Sequence, residues 1–281
     1  MIKIAAIGDN DVDCYLKSGL MYAGGNCLNV SVFSRRFGAS SAYIGAVGND
    51  FAGQFTRETL EAAGVDLSRL RVLNGNTAFC LIDHVKGDRV FRASDLGVSR
   101  FEPSSEDLDF LTSFDAAHVG QSSGLDDFVP AIASKVALSY DFSTRYQAKH
   151  GRTIAPYCFL ASISASELTD AQLIDLKETL LSAGAKWVLL TRGDMGAMLF
   201  NSQNKFSVPA LKTDVVDTLG AGDTFIARTL IGLLQDEEPE SILQAAAKAS
   251  AETCGYLGPH GKGTEIRLNQ DLDRFLQSKH P

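Results

Sequence analysis

The chain reads as an α/β protein: a mostly parallel central sheet with helices on both faces, and a small separate β-sheet. Three observations predict this. Strand-like apolar runs alternate with helix-like stretches along most of the length, two stretches of β-prone residues break that alternation, and 281 residues with 45% hydrophobic content can bury a full core. Chains of this class and length commonly form one domain, so residues 1–281 are read as a single unit.

Residues 3–7 form a short apolar strand ending in Gly8-Asp9-Asn10. After Gly24-Gly25, the spacing of Leu28, Val32 and Phe33 predicts a helix over 27–37. A strand at 42–47 leads to a helix at 51–63 that Gly64 closes. Further strands are expected at 116–119, 137–142, 157–163 and 187–191, with helical stretches between most of them. The two exceptional stretches, 11–22 and 78–95, the latter around Lys86-Gly87-Asp88, predict hairpins that project from the core as a lid. A last helix is expected near 270–278.

Charge narrows the function. With 34 acidic and 26 basic residues the net charge is −8, and no basic run is present to neutralise a nucleic-acid backbone or an anionic membrane. No apolar run approaches the roughly 18–20 residues of a membrane span, and residues 1–7 are too short for a signal-peptide core before Asp9, Asp11 and Asp13 intervene. The expectation is a cytoplasmic protein with small-molecule partners. Its five cysteines, Cys14, Cys27, Cys80, Cys158 and Cys254, are scattered and odd in number, which predicts reduced thiols packed as small apolar groups.

The most informative stretch is residues 217–227, Asp-Thr-Leu-Gly-Ala-Gly-Asp-Thr-Phe-Ile-Ala. Gly220, Ala221 and Gly222 carry almost no side chain, so their N–H groups can close around an anion at the start of a helix whose dipole adds to the attraction. Asp223, beside that nest, is placed to accept a proton from an attacking hydroxyl. On spacing alone, a glycine-rich loop capped by an Asp reads equally well.

Two signatures in order decide between these. Residues 217–227, together with Gly24, Gly25, Asn29, Gly38 and Gly48 and the following Asp50 and Gly53, resemble the ribokinase-like, or PfkB, family of carbohydrate kinases over nearly the whole chain. The resemblance implies a ribokinase-like three-layer fold with a β-sheet lid, ATP as phosphoryl donor, Mg²⁺ as cofactor and, in some relatives, a monovalent cation such as K⁺ near Asp217. It implies that Asp223 is the base and Gly220, Ala221 and Gly222 the anion nest. Asp9, Asp13, Gly25, Asn26 and Asn29 would bind the sugar. Thr191, Gly193 and Gly196, in Thr-Arg-Gly-Asp-Met-Gly, would lie against ATP phosphates, with Gly220, Gly222, Ser250, Cys254 and the loop at 258–261 completing the nucleotide site. Glu167 would order water around Mg²⁺ in an Asn-x-x-Glu element where Ser164 replaces Asn. Cys27 and Arg228 also depart from the family pattern. Five residues past Asp223, Arg228 lies about 140° around the helix and should face away from the base.

The runs at 8–15, 24–30, 88–91 and 140–143 are more similar to the fructoselysine 6-kinase branch than to ribokinase or 2-keto-3-deoxygluconate kinase. That implies a fructosamine as acceptor, phosphorylated at its 6-hydroxyl, with Arg89 and Arg92 meeting an amino-acid carboxylate. His118, at the end of a strand, points toward the ligand-binding edge or is structural. The sequence leaves two alternatives: a family kinase of another sugar, 2-keto sugar acid or nucleoside, and a silent sugar-binding sensor. Exposed lid strands also offer an edge for a homodimer.

Overall fold

The computed structural model describes residues 1–85, 88–144 and 146–269. The expected final helix and the Lys86-Gly87 turn lie outside them. In chain order the first half contains strands β1 (Lys3–Ile7), β2 (Asp11–Tyr15) and β3 (Leu20–Gly24), helix α1 (Asn26–Arg36), β4 (Ser40–Gly48), α2 (Phe51–Ala62), β5 (Leu70–Leu73), β6 (Phe79–Val85), β7 (Asp88–Asp95), α3 (Ser105–Leu111) and β8 (Ala116–Gly120). The second half continues with α4 (Val129–Ala133), β9 (Ala137–Asp141), α5 (Ala148–Ile154), β10 (Cys158–Ser164), α6 (Asp170–Ala183), β11 (Trp187–Thr191), β12 (Ala197–Phe200), β13 (Lys205–Val208), α7 (Ala221–Leu234), α8 (Pro239–Thr253) and β14 (Gly263–Glu265).

Nine strands form the central sheet in the order β13-β12-β11-β10-β9-β8-β1-β4-β5. Every pair from β11 to β5 is parallel, and only β12 adds antiparallel contacts. Strand alternation explains the layers. In β1, Ala5 and Ile7 join a core with Leu111, Ile132, Ile154 and Leu176 of α3 to α6, whereas Ile4 and Ala6 pack with α1, α2 and α7. Both faces are covered, so the strands read as short apolar runs. β5, β12, β13 and β14 escape sequence reading because each is only three or four residues long.

A second sheet has the order β14-β3-β2-β6-β7. It collects both stretches that interrupt the α/β alternation, and β14 joins from the far end of the chain. One of its faces, with Val12, Cys14 and Leu81, packs near Ala52 of α2; the other carries Tyr15, Tyr22 and Ile82 against Leu219 and Leu257. No helix among the described residues is long and apolar enough to cross a membrane. All five cysteines are free, and all but Cys254 are buried.

Helix ends follow local chemistry. Asp50 caps α2 by accepting from the Gly53 N–H at 2.8 Å, and Thr169 with Gln172 forms a capping box at α6. Helix α7 differs: Gly220, at φ 79°, starts it with no side-chain cap.

Candidate active site

The C-terminal ends of β1, β8, β9 and β10 converge with the first turns of α1 and α7. On β8 and β9 the residues on the α1 side of the sheet are Ala116 and His118, then Ala137, Ser139 and Asp141, because their neighbours Ala117, Val119, Leu138 and Tyr140 belong to the opposite core. The same alternation that builds the apolar layers therefore lines the strand ends with polar groups.

Asp223, in the first turn of α7, is held by two amides. Asn26 Nδ2 donates to its Oδ1 and Asn29 Nδ2 to its Oδ2, each at 2.7 Å. Asn26 and Asn29 both lie in the first turn of α1, whose entry at Gly25 has φ 101°. A Cβ on Gly25 would stand 2.5 Å from Asn10 Cα, so glycine is required for this approach. The amide Oδ1 of Asn29 is buried and has no partner among the described residues.

Asn26 also donates to Asp141 Oδ2 at 3.0 Å, and its Oδ1 meets His118 Nε2 at 2.9 Å. The other imidazole nitrogen meets Ser139 Oγ at 3.0 Å. Asp141 accepts further from the Ser143 N–H and the Ser162 hydroxyl. Ser143 has φ 53°, an uncommon conformation for a residue with a side chain, at the rim of this cleft.

Five carboxyl groups gather here: Asp9, Asp11, Asp13, Asp141 and Asp223. Withdrawal from water raises Asp223 to about 6, partly offset by the two amides and reinforced by Asp9. Burial and then the charges of neighbouring aspartates push Asp11 and Asp141 up to about 7. Burial lowers His118 to about 4, so its ring is neutral. Asp13, buried on β2, and Asp11 both lean over Gly24, where a Cβ would meet Asp13 Oδ2 at 2.1 Å.

Asp9 is turned inward. Its Oδ2 accepts from the Asn26 N–H at 3.0 Å and its Oδ1 from the Ser123 hydroxyl at 2.8 Å, so it caps α1. Arg92 donates to Asp83 at 2.8 Å. Asp83 alternates with Ile82 on β6, which sets this pair on the face of the second sheet opposite Tyr15 and Asp13. Arg89 lies on β7, and its side chain is outside the described part. Cys27, which departs from the family pattern, points into the core as expected of a packed thiol: it is fully buried, and the Gly120 N–H donates to its Sγ at 3.3 Å.

At the start of α7, Gly220 abuts the loop after α8, where a Cβ would meet Pro259 Cβ at 2.8 Å. A Cβ on Gly222 would meet nothing within 4 Å, so that side of the helix opens into free space. Asp217 anchors the preceding turn. It accepts from the Tyr15 hydroxyl, from the Leu219 N–H at 3.0 Å and from the Gly258 N–H at 2.9 Å. Ser250 donates to the Ala221 carbonyl at 3.0 Å, and the Cys254 carbonyl accepts from the Val216 N–H at 2.8 Å, so both residues brace this loop. Arg228 faces away from Asp223, as its helical angle requires, and pairs with Glu237 at 2.6 Å. Gly232 gives it room, since a Cβ there would meet its Nη1 at 2.8 Å.

Thr191 ends β11, and the turn through Gly193 (φ 57°) and Gly196 (φ 87°) leads into β12. A Cβ on Gly196 would collide with the Val208 carbonyl at 2.0 Å. Ser164 ends β10 and Glu167 lies on the loop that follows, both exposed. Sequence reasoning misses Asp141, Ser139, Ser123 and Tyr15 as site residues. Asp141 and Tyr15 fall in the runs at 140–143 and 8–15 that carry the branch resemblance, but nothing in those runs assigns either a role.

The chain is similar to known proteins over most of its length. The pfkB family carbohydrate kinase model matches residues 1–265. A fructosamine kinase of Bacillus subtilis is 35% identical over 272 residues, covering 95% of this chain and 96% of that protein. The fructoselysine 6-kinase of Escherichia coli is 31% identical over 261 residues, covering 92% and 99%. Arabidopsis thaliana ribokinase, solved with ribose and ATP, superposes with a TM-score of 0.81 at 20% identity over 92% of this chain and 94% of that one. With two ordered signatures, a ribokinase-like fold and a family match over nearly its full length, the chain belongs to the pfkB family of carbohydrate kinases.

Proposed function

We propose that this protein transfers the γ-phosphoryl group of ATP to a hydroxyl of a fructosamine, with Asp223 as the base. The observation that carries this reading is Asp223 itself: a carboxylate held on both oxygens by Asn26 and Asn29, at the mouth of an uncapped helix, and raised to about 6. A base tuned toward neutral pH suits proton removal from a sugar hydroxyl. A sensor would need no such group.

The remaining parts fall into place around it. The N–H groups at Gly220, Ala221 and Gly222 would receive charge on the transferring group, aided by the dipole of α7 and the open space at Gly222. Thr191, Gly193 and Gly196 would lie along the ATP phosphates, with the 258–261 loop nearer the base. When bound, Mg²⁺ supplies charge neutralisation at the phosphates. Among the described residues no group of three or more His, Cys, Asp or Glu forms a metal cage. The exposed Glu167 fits an ion carried mainly on phosphate oxygens and reached through water. A monovalent cation near Asp217 would meet a carboxylate that already accepts from the Tyr15 hydroxyl and the Leu219 and Gly258 N–H groups.

The acceptor follows from charge. Beside Asp223 and Asp13, burial and mutual repulsion penalise ionisation of Asp11 and Asp141, a penalty that an acceptor bearing an ammonium group, which a fructosamine carries, would relieve and a sugar acid would not. The names of the two relatives agree with that preference. In this reading the second sheet closes over the acceptor as a lid, presenting Asp11 and Asp13.

The test is ADP release against a panel of fructosamines, ketoses, 2-keto sugar acids and nucleosides, with the parent and Asp223→Asn. Fructosamines should give the highest kcat/KM, and Asp223→Asn should keep the fold and lose about 10²–10⁴ in kcat. Fastest turnover with ribose or adenosine would reject the acceptor assignment, and an Asp223→Asn enzyme within a few-fold of the parent would reject the base.

A further inference from the structure

We propose that His118 and Ser139 are positioning residues for the catalytic base, acting through Asn26. The Ser139 hydroxyl aligns the imidazole, and the imidazole Nε2–H fixes the Asn26 amide so that both of its protons face carboxylates. The proposal rests on the reading of Asp223 as base.

The geometry leaves one consistent assignment of protons. Asn26 Nδ2 lies 2.7 Å from Asp223 Oδ1 and 3.0 Å from Asp141 Oδ2, so the NH₂ end must face both. Its Oδ1 then faces His118 Nε2 at 2.9 Å, which requires that nitrogen to carry the proton. Nδ1 is left as an acceptor, and Ser139 Oγ, 3.0 Å away, donates to it. Reversing any member of the chain reverses all of them and turns the amide oxygen onto two carboxylates. Burial keeps the ring neutral, so the tautomer, not a charge, carries the information.

A purely structural role explains less. His118 is fully buried on the sheet face that Ala116 also lines, and an apolar side chain there would cost no desolvation. The imidazole is tolerated because both nitrogens are satisfied, one of them by a residue that touches the base. Asn26 is only partly buried at the cleft and has no other acceptor-side partner among the described residues to stop its amide from turning.

The experiment uses the intact enzyme with ATP and its best acceptor. His118→Gln extends an amide N–H to about the place of Nε2, while the shorter His118→Asn reaches only toward Ser139. His118→Gln should retain kcat within about 3-fold. His118→Asn should lose about 10- to 100-fold in kcat, the scale of a slightly misplaced reacting group, with KM for ATP within about 2-fold. In an Asn26→Ala background the two substitutions should give the same kcat, because the path to the base is already cut. If His118→Asn does not fold, Ser139→Ala serves instead, with about a 3- to 10-fold loss that disappears in the Asn26→Ala background. Equal kcat for both His118 variants, or a difference that persists without Asn26, overturns the proposal. Asp223→Asn, measured alongside, separates the two readings: an inactive Asp223→Asn with indifferent His118 variants rejects only the positioning role, and an active one rejects both.

Discussion

At the scale of single residues, the site is organised by where carboxylates are solvated and where they are not. Asp223 has a raised pKa because partial withdrawal from water outweighs two amide donors. A general base works in its ionised form, so kcat/KM with a non-titrating acceptor should climb as pH rises through about 6 and then level off. Because Asp11 and Asp141 share the field, the midpoint belongs to the cluster. A stopped or coupled ADP assay from pH 5 to 8 reads it directly. A flat profile across that range would mean that another group sets the rate. Residues such as Asp223, Asn29 and Gly25 are legible in sequence because each sits in a local motif with fixed spacing. Ser139 is not, and His118 and Asp141 are legible only as residues near strand ends, since Asn26 meets Asp141 across 115 positions and His118 across 92. Only folding brings those partners together.

At the scale of elements, the turn from Asp217 to Gly220 is held from three directions. β2 supplies the Tyr15 hydroxyl, the loop before β14 supplies the Gly258 N–H, and the turn itself supplies the Leu219 N–H. Tyr15 is nearly fully buried, with its ring edge-on to Tyr22 at 5.3 Å. The second sheet is thereby tied to the segment that starts α7. Tyr15→Phe keeps the ring and deletes one hydrogen bond to a charged group, a loss of about 1.5–3 kcal/mol. The melting temperature should fall by about 3–12 °C, at about 2–4 °C per kcal/mol. Turnover should fall with it as the α7 entry loosens. A variant that melts and turns over like the parent would show that the hydroxyl carries no load. The pairing of the second sheet's hairpins is foreshadowed by β-prone runs and the Lys86-Gly87-Asp88 turn. Its coupling to Asp217 is invisible locally, because a tyrosine in a strand looks the same whether it packs on apolar neighbours or donates to a carboxylate 202 positions away.

At the scale of the whole molecule, activity and stability pull in opposite directions. Among the described residues, Asp223 is raised to about 6 and Asp11 and Asp141 to about 7, from a usual value of 3.8. The folded chain therefore holds protons that the unfolded chain has already released. Stability from these groups is full below the unfolded value and is lost as pH rises through 6 to 7. The opposite shift of His118, from 6.5 down to about 4, costs stability below pH 6.5 and fades above it. Between pH 6.5 and 8 the carboxyls dominate, and Asp11 and Asp141 together should remove roughly 1–2 kcal/mol, or a few °C of melting temperature. Asp11 is the cleaner probe, because its buried Oδ1 has no hydrogen-bond partner among the described residues. Asp11→Asn should melt higher than the parent at pH 8, with the gap narrowing toward pH 6.5. Thermal scans of the ligand-free protein in that window test both statements. A melting temperature that holds steady or rises from pH 6.5 to 8 would show that these acids are ionised at little cost, and the acidic cleft would then be well solvated and not primed for a cationic acceptor.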